Sequence, residues 1–527
     1  MKILVCDPIS DQGVKILEKD PAFQVDVKLN QKEEEIIAIA GEYHAMVVRS
    51  ETKITKEIIE AANQLRVIGR AGVGIDNIDV DAATKKGVLV INAPDGNTIS
   101  ACEHTMALIL ALARHVPQAD QSLRNHAWDR KKYTGIELRG KTIGILGFGK
   151  IGAEIAIRCK AFGMRVLAYD PYITEDRAQR FNVEMADRDT IYREADFITV
   201  HMPLTDETRN MISKEQFALM KPGARVVNVA RGGIINENDL YDAVKGGVIA
   251  GGAVDVWTEE PMTDHPLFAL SQMVITPHLG ASTEEAQVNV ALEVAEEIYR
   301  VLHGLPVHTA VNIPFVRPEI MEKARPFMDL AEKVGRLAAY LSEGGVTETD
   351  IQYVGDFKDL DLRPLTNSYL KGLLRAVLHD GVNYVNAPVI ARERGVKVTT
   401  THTDDITDYT NKMVVSVRGE GWSHHLAGSV FQNGEVHIVE IDHFVLDIQP
   451  VGHLVLVPHK DQPRVVGPVG MILGEHDVNI ACMQLARREQ GGDALMILTV
   501  DNMVSDEVLE AFKQIPAISK ASYLNFA

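Results

Sequence analysis

Short apolar runs alternate with amphipathic stretches of helical period through the first three hundred residues of the chain. The first group of runs covers residues 3–5, 25–27, 45–48, 67–68 and 88–91, and the second covers residues 141–146, 166–170, 196–200, 224–229 and 251–256. Buried strands that alternate with helices are typical of parallel sheets covered on both faces. The pattern therefore predicts an α/β protein with two doubly wound, Rossmann-like units.

The pattern changes after about residue 315. Residues 314–318 are typical of a linker, and a helical period covers residues 321–341. Strand-like runs follow at residues 350–354, 398–402 and 412–417, with helical stretches between them, which predicts an α+β unit that extends to residue 452. From residue 453 the predicted order is strand, helix, strand, strand, helix, strand, which is the βαββαβ order of a ferredoxin-like fold.

Composition narrows the possible partners and the compartment. The 527 residues carry a formal net charge of −19, which argues against nucleic acid and anionic membranes as partners. The apolar runs are too short for a signal peptide or a membrane span. Since Cys6, Cys102, Cys159 and Cys482 have neither paired nor metal-ligand spacing, we expect a cytoplasmic protein without a metal centre.

Residues 141–170 have the pattern of a dinucleotide-binding βαβ unit. Gly147 would permit a tight turn, Gly149 would let the backbone approach a pyrophosphate, and Gly152 would let the helix pack on the strand. Asp170, at the end of the next run, can accept hydrogen bonds from both ribose hydroxyls of an adenosine. Because its charge would repel a 2′-phosphate and no arginine follows directly, the segment predicts NAD rather than NADP. The alternative is a doubly wound sheet with an empty crevice.

Three later strand ends carry polar residues that suit the chemistry of a 2-hydroxy acid. Arg231 can bind a carboxylate in bidentate geometry, and His278 can transfer a proton near neutral pH. Glu260 can fix the tautomer of a neighbouring imidazole. Hydride transfer between a hydroxy acid and a nicotinamide needs these three roles, although sequence separation alone does not show that the residues meet.

Arginines and small residues also follow the predicted strands of the first unit and indicate an anion-facing rim. The candidate substrate-facing residues are Arg49, Ser50, Arg70, Gly72, Val73, Gly74 and Asn97. Ordinary turn chemistry with surface arginines is the alternative for each of them. His104 lies in a strongly apolar helical stretch and is predicted to be a core or interface residue rather than a catalyst.

The motifs G-F-G-K-I-G, V-N-V-A-R-G-G, D-V-W-T-E-E-P and T-P-H-L-G-A-S, in this order, resemble those of the D-isomer-specific 2-hydroxyacid dehydrogenase family. The resemblance implies a discontinuous substrate-binding domain, residues 1–98 and 283–315, around an NAD-binding domain, residues 99–282. It implies that Arg231 binds the substrate carboxylate, that Glu260 supports the site and that His278 is the acid/base. The implied cofactor-binding residues are Gly147, Gly149, Lys150, Ile151, Gly152, Asp170, Val229, Ala230, Arg231, Asp255, His278, Leu279, Gly280 and Ala281.

The second half resembles the extra domains of long-form D-3-phosphoglycerate dehydrogenases. Residues 385–395 resemble their intervening domain, which implies a regulatory or structural unit over residues 316–452. Residues 459–463 and 478–480 resemble an ACT domain, residues 453–527, in which His459, Asp461 and Asn479 would bind L-serine at an edge-to-edge junction. Arg464 replaces the usual glycine there, and a purely dimerising domain is the alternative.

Together, these resemblances imply NAD-dependent oxidation of 3-phospho-D-glycerate to 3-phosphooxypyruvate, the first step of phosphorylated serine synthesis. They also imply feedback by serine and a homo-oligomer, which we expect to be a tetramer. One alternative is another 2-hydroxyacid dehydrogenase, such as a glyoxylate, hydroxypyruvate or 2-oxoglutarate reductase. A non-catalytic NAD-sensing scaffold is the alternative from a different functional class.

Overall fold

The computed structural model describes residues 1–314, 318–357, 360–378, 381–405 and 408–526. Its first sheet contains five parallel strands: β1 (Lys2–Val5), β2 (Gln24–Val27), β3 (Ala45–Val48), β4 (Val67–Arg70) and β5 (Leu89–Asn92). The helices between them are α1 (Asp11–Glu18), α2 (Glu33–Ala40), α3 (Lys56–Ala61) and α4 (Val80–Lys86). The strand order is β2-β1-β3-β4-β5, with an apolar core on each face, so the predicted doubly wound unit is confirmed.

The second sheet contains seven parallel strands. They are β6 (Thr142–Leu146), β7 (Arg165–Tyr169), β8 (Glu184–Met185), β9 (Phe197–Val200), β10 (Arg225–Asn228), β11 (Gly251–Val254) and β12 (Met273–Ile275). Its helices are α5 (Thr98–Arg114), α6 (Val116–Arg124), α7 (Lys150–Ala161), α8 (Glu175–Arg180), α9 (Arg188–Glu194), α10 (Lys214–Leu219) and α11 (Glu237–Lys245). The order β12-β11-β10-β9-β6-β7-β8 reverses direction between β6 and β9, and ligands bind beside such a switch point.

The long helix α12 (Glu284–Leu302) returns the chain to the first sheet. Val294 and Ile298 pack over Gly69 of β4, where an added Cβ would lie 2.6 Å from the Val294 side chain. Asn312 then accepts a hydrogen bond from the Val90 amide at 2.9 Å. The first sheet is therefore completed by residues that lie more than 180 positions later in the sequence.

A mixed sheet follows, with three helices among the described residues of this part of the chain. Its elements are α13 (Pro318–Leu341), β13 (Val346–Gly355), α14 (Leu362–Leu378), α15 (Ala387–Glu393), β14 (Lys397–Thr403), β15 (Asn411–Gly419), β16 (Trp422–Val430), β17 (Val436–Ile441) and β18 (Phe444–Ile448). The strand order is β14-β13-β15-β16-β17-β18, and only the β13–β14 pair is parallel. The predicted α+β class is confirmed, but the sequence prediction missed the last three strands.

The C-terminal unit has the predicted ferredoxin-like order. Its elements are β19 (His453–Lys460), α16 (Val466–Glu475), β20 (Ile480–Arg487), β21 (Asp493–Val500), α17 (Asp506–Phe512) and β22 (Ser522–Asn525), and the antiparallel order is β20-β21-β19-β22. One face of this sheet packs on its own helices. The other face, through Leu456, Ile497 and Leu524, joins the hydrophobic core of the mixed sheet, so the two units share one core. None of the described helices is both long and apolar enough to cross a membrane.

Candidate active site

The strand order of the second sheet brings the three predicted catalytic residues to neighbouring strand ends. Arg231 follows β10, Glu260 follows β11 and His278 follows β12, and these three strands are adjacent and parallel. The loop after β10 packs on the loop that carries Glu260, because a Cβ at Gly232 would clash with the backbone of Trp257. Residues that are far apart in sequence therefore lie along one edge of the crevice.

His278 and Glu260 form a pair whose orientation suits proton transfer. Nδ1 of His278 lies 2.7 Å from Oε2 of Glu260, and the two side chains are 44% and 37% exposed. Oε1 of Glu260 accepts a hydrogen bond from the Trp257 amide at 3.0 Å. Burial opposes ionisation of Glu260, but the hydrogen bonds from His278 and Trp257 outweigh it and hold the pKa of Glu260 below its usual range. A carboxylate at Nδ1 leaves Nε2 of the imidazole to face a substrate hydroxyl.

Asp255 lies beneath the loop that carries His278. Its carboxylate is fully buried and accepts hydrogen bonds from the amides of Leu279 and Gly280 at 2.8 and 2.9 Å, and from the hydroxyl of Thr276. Burial opposes its ionisation, but hydrogen bonds from the His104 imidazole, the Thr276 hydroxyl and the Leu279 amide outweigh burial and hold the pKa of Asp255 below its usual range. The Asp255 side chain therefore holds this loop from below, and its predicted place around the cofactor stays a prediction.

His104 supports the same loop from helix α5, in agreement with its prediction as an interface residue. Its Nε2 atom lies 3.1 Å from Oδ1 of Asp255 and 3.3 Å from Oγ1 of Thr276. No pattern in the sequence indicates this contact, since His104 precedes Asp255 by 151 residues and Thr276 by 172. Only the packing of α5 against β10, β11 and β12 brings them together.

Arg231 faces the first unit across the crevice. Its Nε atom donates to Oδ2 of Asp76 at 3.0 Å, and its Nη1 atom donates to the Ala230 carbonyl at 2.6 Å. Gly74 lies so close to the same guanidinium that a Cβ there would clash with it. No role was predicted for Asp76, because it meets Arg231 only across the crevice. A partly exposed pair of this kind contributes only about 0–1 kcal/mol, so a substrate carboxylate can compete for Arg231.

Arg70 and Asn97 carry buried polar atoms that lack a partner. Nε of Arg70 and Oδ1 of Asn97 have no hydrogen bond within the part of the chain that the structure describes. Burial, and next the guanidinium of Arg231, lower the pKa of Arg70 to about 10. Because Arg70 ends β4 and Asn97 follows the adjacent strand β5, the unpaired Arg70 Nε donor indicates a place where an anionic ligand would bind, and the unpaired Asn97 oxygen can accept a hydrogen bond from a hydroxyl of that ligand.

The remaining residues of the predicted rim lie at the same edge of the first sheet. The Arg49 amide donates to Asp7 at 2.6 Å, and Ser50 next to it is exposed. Gly72 packs against the Arg70 guanidinium, and the Val73 carbonyl accepts a hydrogen bond from Asn92 at 2.6 Å. Arg70 is therefore the last residue of β4, and the other six candidates follow the carboxyl ends of β3, β4 and β5.

The glycine-rich turn after β6 has the geometry that a dinucleotide needs. Gly147 has a φ of +97°, and a Cβ at Gly152 would clash with the Gly147 carbonyl. A Cβ at Gly149 would meet nothing within 4 Å, so the space at the N-terminus of α7 is open to a pyrophosphate. Asp170 accepts a hydrogen bond from the Phe148 amide at 2.9 Å, which fixes its carboxylate at the end of β7. These residues fit NAD.

The other candidate cofactor residues belong to segments at the same edge of the second sheet. Lys150 begins α7 and forms an ion pair with Asp95, which links the two units across the crevice. The rest follow β6, β10 or β12 and are Ile151, Val229, Ala230, Leu279, Gly280 and Ala281.

The three candidate effector residues do not come together within one chain. His459 is buried, with Nδ1 3.0 Å from the Val457 carbonyl, and Asp461 accepts from Arg487 at 2.9 Å. Asn479 precedes β20 and donates to Asp501 at 2.8 Å. Because β19 and β20 run in the same direction, His459 and Asp461 lie at one end of the sheet and Asn479 at the other.

Known families match two separate parts of this chain, and known proteins match it over nearly its full length. Residues 106–280 match the D-isomer-specific 2-hydroxyacid dehydrogenase NAD-binding domain, and residues 323–442 match the D-3-phosphoglycerate dehydrogenase intervening domain. The chain is 44% identical to the D-3-phosphoglycerate dehydrogenase of Synechocystis, over 99% of this chain and 94% of that protein. It is also 44% identical to the D-3-phosphoglycerate dehydrogenase of Archaeoglobus fulgidus, over 99% of this chain and 100% of that protein.

Solved structures match the first two sheets. D-lactate dehydrogenase from Aquifex aeolicus, in complex with NAD and lactic acid, superimposes with a TM-score of 0.53 and 26% identity. The superposition covers 58% of this chain and 96% of that one.

Proposed function

Because the chain belongs to the D-3-phosphoglycerate dehydrogenase family, we propose that Arg231, Glu260 and His278 carry out its reaction. The enzyme catalyses the NAD-dependent oxidation of 3-phospho-D-glycerate to 3-phosphooxypyruvate. When bound, NAD supplies the acceptor for the hydride from C2. The observation that carries the proposal is the 2.7 Å contact between His278 and Glu260 beside the nucleotide crevice.

Each side chain has one task in this proposal. Nε2 of His278 takes the proton of the C2 hydroxyl, and the Glu260 carboxylate stabilises the resulting imidazolium. Arg231 exchanges its exposed contact with Asp76 for the substrate carboxylate and orients C2 toward the nicotinamide. Arg70, whose Nε atom is buried without a partner among the described residues, binds the substrate phosphate together with Arg49.

The domain division supports this arrangement. We assign residues 1–98 and 283–315 to substrate binding, because α12 packs on α1 and β4, and residues 99–282 to NAD. Residues 316–452 and 453–527 then form the intervening and regulatory parts. We place the enzyme in the cytoplasm, because all four cysteines are unpaired thiols.

A panel of substrates tests the proposed phosphate pocket. We expect kcat/KM for 3-phospho-D-glycerate to exceed that for D-glycerate by about 10²-fold or more, because hydrogen bonds to charged groups contribute about 1.5–3 kcal/mol each. The measurement is NADH formation coupled to removal of the product. Equal kcat/KM values for the two acids would show that the site does not recognise the phosphate.

For regulation, we propose that L-serine binds between two C-terminal units of a homotetramer. In an antiparallel pairing of β20 with the partner's β20, the start of one strand faces the end of the other. The ion pair of Asp461 with Arg487, the last residue of β20, places Asp461 and the nearby His459 close to the end of that strand. Asn479 of one chain would then lie beside His459 and Asp461 of its neighbour. Arg464 has a φ of +67°, which lies in the left-handed region that glycine adopts without strain.

Point variants test serine binding better than deletion, because the C-terminal sheet shares a core with the mixed sheet. We expect Asp461→Asn and Asn479→Ala each to raise the serine concentration for half-inhibition at least about 10-fold, because each removes a hydrogen bond to a charged ligand. The control is Asp493→Asn, which removes an exposed carboxylate from the same unit. Unchanged inhibition in both test variants would place the effector site elsewhere.

A further inference from the structure

We propose that His425, Glu440 and His443 form a binding site for a divalent transition-metal ion, for which Zn²⁺ is the best match. His425 lies on β16, Glu440 on β17 and His443 on the turn before β18, in the mixed sheet and away from the crevice. One nitrogen or carboxylate oxygen from each residue lies within 4.8 Å of the other two. We predicted no metal centre from the spacing of the cysteines. That spacing carries no information about ligands that only the pairing of strands brings together.

The two distances from Glu440 suit a tetrahedral ion. Oε1 of Glu440 lies 3.5 Å from Nε2 of His425 and 3.3 Å from Nδ1 of His443. Two ligand atoms on a tetrahedral Zn²⁺ with bonds of about 2.1 Å are about 3.4 Å apart. Two imidazoles and one carboxylate match the ligand sets that Zn²⁺ and other divalent first-row transition metals prefer. The fourth position would be taken by water.

Neighbouring side chains orient two of the ligands. The Ser416 hydroxyl lies 3.4 Å from Nδ1 of His425, so it can accept a hydrogen bond from Nδ1–H and leave the Nε2 lone pair facing Glu440. Lys412 donates to the second oxygen of Glu440 at 3.3 Å, so Glu440 would bind the ion through Oε1 alone. His443 is 66% exposed, whereas the Glu440 side chain is 16% exposed, so an ion would enter from the His443 side.

The third ligand, His443, lies in a turn with positive φ values. Asp442 and His443 have φ values of +46° and +65° between the paired residues Ile441 and Phe444, a two-residue hairpin that favours asparagine and glycine. Asp442 ties this turn to β16, because it accepts from the His425 amide at 2.9 Å and contacts Nδ1 of His424 at 2.8 Å. These contacts therefore hold His443 beside His425, although a positive φ is uncommon for a residue other than glycine.

The same turn contacts the C-terminal unit. Arg488 donates to the Asp442 carbonyl, and its guanidinium lies 4.9 Å from the centre of the Phe444 ring. A bound ion would therefore fix a hairpin on which the C-terminal unit rests, and the site lies at the junction of the two units.

Zinc titration of the full-length, untagged chain tests the proposal. The Cys482→Ser background removes the exposed thiol, and the protein is first stripped with a chelator. We expect calorimetry with ZnCl₂ to give one saturable site per chain, and Co²⁺ to give the visible absorption of a tetrahedral complex. Affinity should fall about 10²-fold or more in His443→Gly and Glu440→Gln, because loss of even an outer-shell partner costs 10- to 100-fold.

The variants separate loss of a ligand from loss of the fold. His443→Gly removes an imidazole yet suits the positive φ of the turn, so it should fold at least as well as the parent chain. His476→Ala is the matched control, because it removes an exposed histidine from the C-terminal unit and should leave zinc affinity unchanged. The proposal is overturned if no saturable binding is seen, or if His443→Gly and Glu440→Gln bind Zn²⁺ as tightly as the parent chain.

Discussion

Replacing His278 with glutamine will lower kcat for 3-phospho-D-glycerate oxidation by about 10²- to 10⁴-fold, the range that a general base contributes. The reason is geometric, since Glu260 occupies Nδ1 at 2.7 Å and Nε2 is the ring atom left for the substrate. Glutamine keeps the size and a hydrogen bond to Glu260 but cannot accept a proton. The measurement is steady-state NADH formation, with NAD affinity measured by fluorescence as a check on the fold.

Glu260→Gln separates orientation from charge. An amide oxygen can still accept from Nδ1, so we expect a smaller loss of kcat than in His278→Gln. A neutral amide stabilises an imidazolium less well than a carboxylate does, so part of the loss of kcat should remain. Near-parental kcat in His278→Gln would contradict the acid/base assignment, and parental kcat in Glu260→Gln would contradict the role of the charge.

Replacing Arg231 with alanine will lower kcat/KM on the order of 10⁴-fold. Loss of a bidentate clamp removes two charge-assisted hydrogen bonds of about 1.5–3 kcal/mol each, and loss of a donor near the developing carbonyl adds to this. Arg231→Lys should recover only part of the activity, because an ammonium cannot form the planar bidentate contact. The measurement is kcat and KM with 3-phospho-D-glycerate at saturating NAD.

Asp76→Ala distinguishes substrate binding from the ion pair seen across the crevice. It removes the 68% exposed carboxylate that contacts Arg231 and leaves the guanidinium in place. If Arg231 binds substrate, the loss of kcat/KM in this variant should be far smaller than in Arg231→Ala. Equal losses in the two variants would mean that the ion pair, rather than a substrate contact, is what Arg231 contributes.

Local patterns in the sequence predicted most of the fold. The βαβ unit of β6, α7 and β7 follows from apolar runs and glycine spacing within thirty residues, and the structure confirms it. The strands β16 to β18 were missed, because residues 422–425 are Trp-Ser-His-His and Val445 on β18 is 76% exposed. Strands without a continuous apolar run carry little signal of their own.

The site was predictable as a set of residue types but not as an arrangement. The order β12-β11-β10, which aligns Arg231, Glu260 and His278, depends on strand pairing between distant segments. Asp76 and His104 were not assigned to the site for the same reason, since each acquires its partner only through packing. The bonds of Asp255 to the loop above it could not be predicted, because a carboxylate at a strand end can face either a ligand or that loop.

A crystal structure of the complex with NAD and 3-phospho-D-glycerate tests the central claim most directly. We expect Nε2 of His278 about 2.6–3.2 Å from the C2 hydroxyl and the Arg231 guanidinium on the substrate carboxylate. An imidazole turned away from C2 in the closed complex, with another side chain at the hydroxyl, would contradict the account.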